Sequence, residues 1–155
     1  MSATISNLHL ETYFLKEISY SVKNNLDTIP ERINKIQPVG LEIADLTTPI
    51  EETENAWRCE LTIKASDDEK DGNPFYNFQI VMVGFFSVNS NLPAEQAQML
   101  AESNCPAVLY STSREIIATV TRRSPYPAVL LPLVTFVKNL EQPKKKSRTN
   151  KKKSE

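Results

Sequence analysis

The sequence predicts an α+β fold: a four-stranded antiparallel sheet followed by helices. Three observations carry that prediction. Apolar residues alternate with polar ones through Trp57, Cys59, Leu61 and Ile63, the period of a half-buried strand. Phe75 to Val88 runs almost continuously apolar, as a strand covered on both faces does. After Asn89 the spacing turns helical, with Pro93 at a helix start and Ala94-Glu95-Gln96 as first-turn residues. The 155 residues suit one domain, long enough for a core but too short for two.

The first strand is LHLETYFLKEISYSV, Leu8 to Val22, rich in aromatic and β-branched residues. Simple alternation puts Leu8, Leu10, Thr12, Phe14 and Lys16 on one face and Tyr13, Leu15, Glu17 and Ser19 on the other. The pattern breaks near Lys16, which predicts a bulge. Residues 23–37, polar and interrupted by Pro30, read as a long connection. Val39, Leu41 and Ile43 then form a short strand with one apolar face. Pro49 and the acidic run at 51–54 make a turn before the third strand. Asp71-Gly72, within SDDEKDGNP, is a hairpin signal leading into the fourth. Both faces of that strand are apolar around Val81 and Val83.

In the helical part, Ala97, Leu100 and Ala101 make a short apolar stripe, and Pro106 is expected to end that helix. Ser111 or Ser113 is placed to cap a second helix, Arg114 to Arg123, striped by Leu109, Ile116, Ile117 and Val120. Its β-branched content makes it weak in isolation. Pro125, Pro127 and Pro132 enforce an extended segment, and a last short helix or turn is expected at 135–141. Strands before helices imply an α+β domain with an antiparallel meander.

The chemistry-bearing inventory is small. His9 is the single histidine and starts a strand; three glycines are too few for a phosphate loop. Cys59 and Cys105 match no metal spacing and read as half-buried thiols in a reducing compartment. Glu51, Glu52 and Glu54 look like a solvated turn. Asp67, Asp68, Glu69 and Asp71 lack the closing glutamate and flanking helices of a calcium loop. The expectation is a protein that is not an enzyme and needs no cofactor or metal. No apolar run of 18 residues is present, and the first residues have neither a basic nor a continuous apolar region. A cytoplasmic protein is expected.

Charge divides the chain. PKKKSRTNKKKSE at 143–155 carries seven Lys/Arg and one Glu, net +6, whereas residues 1–142 hold 11 basic and 18 acidic residues, net −7. Two units are therefore expected, a 1–142 domain and a disordered basic tail at 143–155. Such a tail suits folding back on the acidic body, or contact with RNA, the ribosome or anionic lipid. What remains is apolar surface. Val39, Leu41, Ile43 and PYPAVLLPLVTF exceed what a small monomer needs. They imply either an oligomer interface or a groove for apolar polypeptide.

GFFSV at 84–88, CPAVLY at 105–110, SREII at 113–117 and the proline-bent exit to Phe136 resemble the SecB protein-export chaperone family. KEISYSV at 16–22 and PVGLEI at 38–43 are similar to its first two strands. The resemblance spans Leu8 to Leu140. It implies dimers, or tetramers formed as dimers of dimers, that hold unfolded polypeptides or preproteins without ATP or a cofactor. Carried over by position, it implies that Val39, Leu41, Ile43, Val88 and Phe136 line a client groove, and that Phe78, Ile80 and Met82 govern subunit association. The family docks its partner SecA through acidic residues on the outer sheet face. Glu17 keeps one such position, but Ser21, Asn77 and Gln79 stand at others. SecB-like chaperones of toxin–antitoxin systems diverge in this way, with an antitoxin as client. Export and antitoxin protection both remain open, and a nucleic-acid or ribosome-binding module using the tail is the reading of another class.

Overall fold

The computed structural model describes residues 3–23, 40–66 and 75–137. Four strands, β1 (Leu8–Val22), β2 (Leu41–Pro49), β3 (Ala56–Ala65) and β4 (Tyr76–Val88), precede one helix, α1 (Ala94–Thr121). Every strand pairing is antiparallel. The order across the sheet is β1-β4-β3-β2, so the simple meander holds only for β2, β3 and β4. β1 crosses to the far side of β4. The Asp71-Gly72 hairpin signal, Val39 and the tail lie outside the described residues.

Two bulges organise β1. Register shifts fall between Leu10 and Thr12 and between Leu15 and Glu17. The second is the break anticipated at Lys16; the first was not anticipated. Each bulge inserts one residue and moves the side-chain phase by one. Leu8, Leu10, Tyr13, Leu15, Ile18, Tyr20 and Val22 therefore share one face, opposite Val88, Phe86, Gly84, Met82, Ile80, Phe78 and Tyr76. Thr12 and Phe14 go to the other face, against the uncorrected alternation.

The core lies between that inner face and α1. Trp57, Cys59, Leu61, Ile63 and Ala65 are buried on β3, and the even residues from Tyr76 to Val88 on β4. On α1 every fourth residue is fully buried: Ala97, Ala101, Cys105, Leu109, Ser113, Ile117 and Thr121. Such an i, i+4 ridge is one of the two rows through which a helix packs. Its small residues bring the helix close, and Gly84 meets it: a Cβ there would lie 2.9 Å from Leu109 Cδ2.

Pro106 does not end the helix. It sits inside α1 with its ring fully buried. A mid-helix proline removes one backbone hydrogen bond and clashes with the preceding turn, at about 3 kcal/mol. The buried ridge on both sides of Pro106 outweighs that. No second helix starts at Arg114, and Ser113 is no cap: its hydroxyl donates to Leu109 O at 2.9 Å in mid-helix. Residues 135–137 are not helical; the rest of the anticipated final helix is outside the described residues.

Candidate functional site: an acid-rimmed apolar groove

After α1 the chain runs back along the helix. Tyr126 stacks on Phe75 with ring centroids 4.5 Å apart, and Tyr76 Oη donates to Pro127 O at 3.0 Å. The Val129 N–H donates to Thr121 Oγ1 at 2.9 Å. Arg114 Nε donates to Leu131 O at 3.0 Å and Tyr110 Oη to Pro132 O at 2.7 Å. Thr121, Arg114 and Tyr110 follow one another back along α1, so they fasten the segment in antiparallel order. Prolines supply no N–H and cannot join a sheet ladder; these side chains satisfy the carbonyls instead.

The fastened segment forms one wall of a groove of about 340 Å³, lined by Ile43 and Asp45 of β2, Glu102 of α1, and Val134, Thr135, Phe136 and Val137. Phe136 packs edge-on against Tyr110, centroids 5.9 Å apart. Leu133 and Val137 are 85% and 69% exposed, so the apolar wall continues to solvent. The only charged residues among the described lining are the carboxylates of Asp45 and Glu102.

Of the residues expected to line a client groove, Ile43 and Phe136 meet here although 93 positions apart in the chain. Leu41 lies on the same face of β2, half-buried against the core. Val88 is buried at the opposite end of the sheet, paired with Leu8, away from this groove. Asp45, Glu102, Val134, Thr135 and Val137 were not anticipated. Asp45 follows Ile43 by two and thus shares its face, a signal present in the sequence. Glu102 depends on the helix phase.

Phe78, Ile80 and Met82 face inward and are almost wholly buried within the single chain. Glu17 lies on the outer face, where its carboxylate accepts from Gln79 Nε2 at 3.1 Å. The other outer-face carboxylates of the sheet also have partners. Glu60 binds Lys16 at 3.1 Å and Arg58 at 2.6 Å, Glu42 binds Lys64 at 3.1 Å, and Glu11 accepts from Ser87. Arg58 first, then Lys16, holds the Glu60 carboxyl below the usual range. The Lys16–Glu60 pair bridges β1 to β3 across β4, above Val81 and Val83. Both valines are buried, without a second protein layer among the described residues.

Cys59 and Cys105 face each other's elements in the core. Burial pushes their thiols up to about 11 and about 12, which suppresses the reactive thiolate. No group of three or more metal-ligating side chains occurs among the described residues, and no described helix is long and apolar enough to cross a membrane.

The fold is a four-stranded antiparallel sheet packed on one long helix, with a proline-bent segment walling an open groove. The family model described as preprotein translocase subunit SecB matches residues 2–147, and the chain belongs to the SecB family of protein-export chaperones. It is 29% identical over 130 residues to the protein-export protein SecB of Haemophilus ducreyi, covering 83% of this chain and 73% of that one. With the SecB of Mesorhizobium japonicum it shares 23% identity, covering 88% and 78%. Among solved structures it resembles a Mycobacterium tuberculosis SecB-like chaperone in complex with a ChAD peptide from the HigA1 antitoxin. There the TM-score is 0.58 at 15% identity, covering 83% of this chain and 91% of that one.

Proposed function

We propose that the protein is a cytoplasmic, ATP-independent holdase whose 1–142 domain takes non-native polypeptide into the groove between β2, α1 and the proline-bent segment. One observation carries this reading. Two apolar residues distant in sequence, Ile43 and Phe136, line one open groove beside β2, an edge strand among the described residues, which offers both side-chain burial and main-chain hydrogen bonds to an extended client. Leu41, and Val39 two positions before it in the sequence, belong to the same proposed client set. Val88 acts in the core.

The assembly is a homo-oligomer that begins as a dimer through β1. Leu10, Tyr13, Leu15 and Ile18 are 37–45% exposed on the inner face of that strand, and among the described residues β1 pairs on one side only. A long unpaired apolar edge is a template for a second copy. Phe78, Ile80 and Met82 act on association indirectly, by setting how β4 carries β1 and α1.

Preprotein export, the work of the protein-export relatives, is the main reading and antitoxin protection the alternative; the outer face bears on whether SecA takes part. Its carboxylates are taken up by Arg58, Lys16, Lys64, Gln79 and Ser87, leaving a charge-paired surface where SecA would need an acidic one. The mycobacterial SecB-like chaperone bound to an antitoxin peptide is consistent with the alternative.

The test is suppression of aggregation of an unfolded model client. Ile43→Asp and Phe136→Ala should each weaken client binding about tenfold, as loss of roughly 1–2 kcal/mol of apolar contact implies, with the circular-dichroism spectrum unchanged. Wild-type protection by both variants would overturn the groove assignment. A stoichiometric SecA complex would show that the charge-paired outer face still docks SecA.

A further inference from the structure

The backbone of β2 has a phase, and the phase coincides with the groove. Ser66 N–H donates to Gly40 O at 2.8 Å and Ile50 N–H to Ala56 O at 2.9 Å. Between them the β2–β3 register runs from Leu41↔Ala65 to Pro49↔Trp57 without a shift. Bonded and unbonded pairs alternate along an antiparallel ladder. Both printed bonds involve an even residue beside β2, so it is the even residues of β2 that bond to β3. Leu41, Ile43, Asp45 and Thr47 therefore turn their N–H and C=O groups to the open edge. Among the described residues no strand or loop backbone bonds to them there. Their side chains share the inner face, where Ile43 and Asp45 line the groove. Pro49 is next in the same phase; it has no N–H and closes the run of donors.

We infer that the client adds to β2 as a fifth, antiparallel strand along Leu41–Thr47, and that one alternate set of its residues is held by main chain and side chain together. This mode of binding rests on the groove being the client site. Facing residues of an antiparallel pair lie on the same side of the sheet. Client residues opposite Leu41, Ile43 and Asp45 thus exchange hydrogen bonds with β2 and send their side chains into the groove. The residues between them point their N–H groups to solvent and their side chains to the outer face. The antiparallel sense is that of every pairing in this sheet and is the more stable per residue. β1, the other edge, carries two register shifts, which break the phase of its free groups; β2 has none. The class of client follows. It is an extended stretch with apolar residues at alternate positions and no proline at those positions, whereas a proline between them is admitted. Hydrogen bonds to the main chain are blind to side-chain identity, so the rest of the sequence is free to vary.

The experiment uses the full chain and an uncharged probe, the acetylated and amidated peptide Ser-Leu-Ser-Leu-Ser-Leu-Ser, whose amides are methylated one at a time. The protein itself is unchanged, so folding is not at issue. Methylation at a leucine N–H removes a bond to β2 and should weaken binding about tenfold; methylation at an interior serine should change it by less than about twofold. Amide exchange followed by NMR should slow about tenfold at Leu41, Ile43 and Asp45 when the probe binds and hardly change at Glu42, Ala44 and Leu46, which already bond to β3. Equal losses at every methylated position, losses in the serine phase, or no added protection at the three edge amides overturn the strand addition. The groove is judged separately with the unmethylated probe. Weaker binding to Ile43→Asp keeps the groove as the client site even if the pairing falls, whereas equal binding overturns the groove reading. A probe that does not bind overturns both. Slow exchange at the three edge amides without probe, rising with protein concentration, would give the edge to a second copy and overturn the inference.

Discussion

Gly84→Ala should destabilise the protein through a clash that the backbone does not cause. Gly84 has an ordinary negative φ, so alanine fits the chain conformation. The space is the difficulty. An added Cβ would lie 2.7 Å from Phe86 Cε2, 2.9 Å from Leu109 Cδ2 and 3.1 Å from Phe86 Cζ. Both neighbours end in flexible side chains, but Leu109 and Phe86 are almost wholly buried and have little room to retreat. Overpacking of this size costs about 1–3 kcal/mol. Replacing glycine in a strand returns up to about 1 kcal/mol, leaving a net loss of about 1–2 kcal/mol. For a domain of this length that lowers Tm by roughly 3–8 °C. Urea unfolding of Gly84→Ala, Leu109→Ala and the double variant measures the pair. Removing Leu109 Cδ2 makes room, so the two changes should couple favourably by about 1 kcal/mol. A Gly84→Ala protein as stable as the parent would refute the close helix–sheet contact. A cost undiminished in the Leu109→Ala background would refute Leu109 as its source.

Stability should fall at alkaline pH. Cys59 and Cys105 ionise at about 11 and about 12 when folded and near 8.5 when unfolded. Their contribution is intact below pH ~8.5 and is lost as pH rises toward the folded values, by about 1.4 kcal/mol per unit for each thiol. Tyr76 and Tyr110, raised mainly by burial, act in the same direction at higher pH. Cys105→Ala should flatten the dependence of the urea midpoint between pH 9 and 10; a slope equal to the parent's would exclude the thiol as its source. Thr121→Val leaves the buried Val129 N–H without its partner and should cost about 1–3 kcal/mol, visible as faster hydrogen exchange at Val129. Tyr110→Phe keeps the ring beside Phe136 but loses the bond to Pro132 O. It should cost about 1 kcal/mol and weaken client binding severalfold, whereas unchanged affinity would show that the bond does not position the wall.

The strands were legible because their periodicity is strong. Trp57–Ile63 alternates without a break, and even the bulge at Lys16 could be seen where polar and apolar phases collide. The bulge at Glu11 was hidden because Leu10, Thr12 and Phe14 still look like a continuous strand face. The single helix was misread at Pro106, since a local rule about proline was set against a ridge that includes Ser113 and Thr121. Those hydroxyls hide in the core by bonding Leu109 O and Ile117 O, so the buried stripe is not an apolar one on paper. The groove was half legible. Ile43 and Phe136 came from a family resemblance. Of the rim carboxylates, Asp45 could have been placed on the strand face of Ile43 by its spacing, whereas Glu102 depends on how α1 sits against β2, which no local pattern encodes.

The pairing of β1 with β4 has a consequence for biosynthesis. The first strand made is the last to find its neighbour, because Leu8 waits for Val88. The partner lies about 80 residues further on, and at the ribosome's pace of roughly 5–20 residues per second the delay is some 4–16 s. Throughout that interval a 15-residue strand bearing Leu10, Tyr13, Phe14, Leu15 and Ile18 stands without a sheet. Long-range closure of this kind is slow and leaves an unpaired apolar edge open to neighbouring nascent chains. A binder of unfolded polypeptide is thus itself a demanding client during its own synthesis.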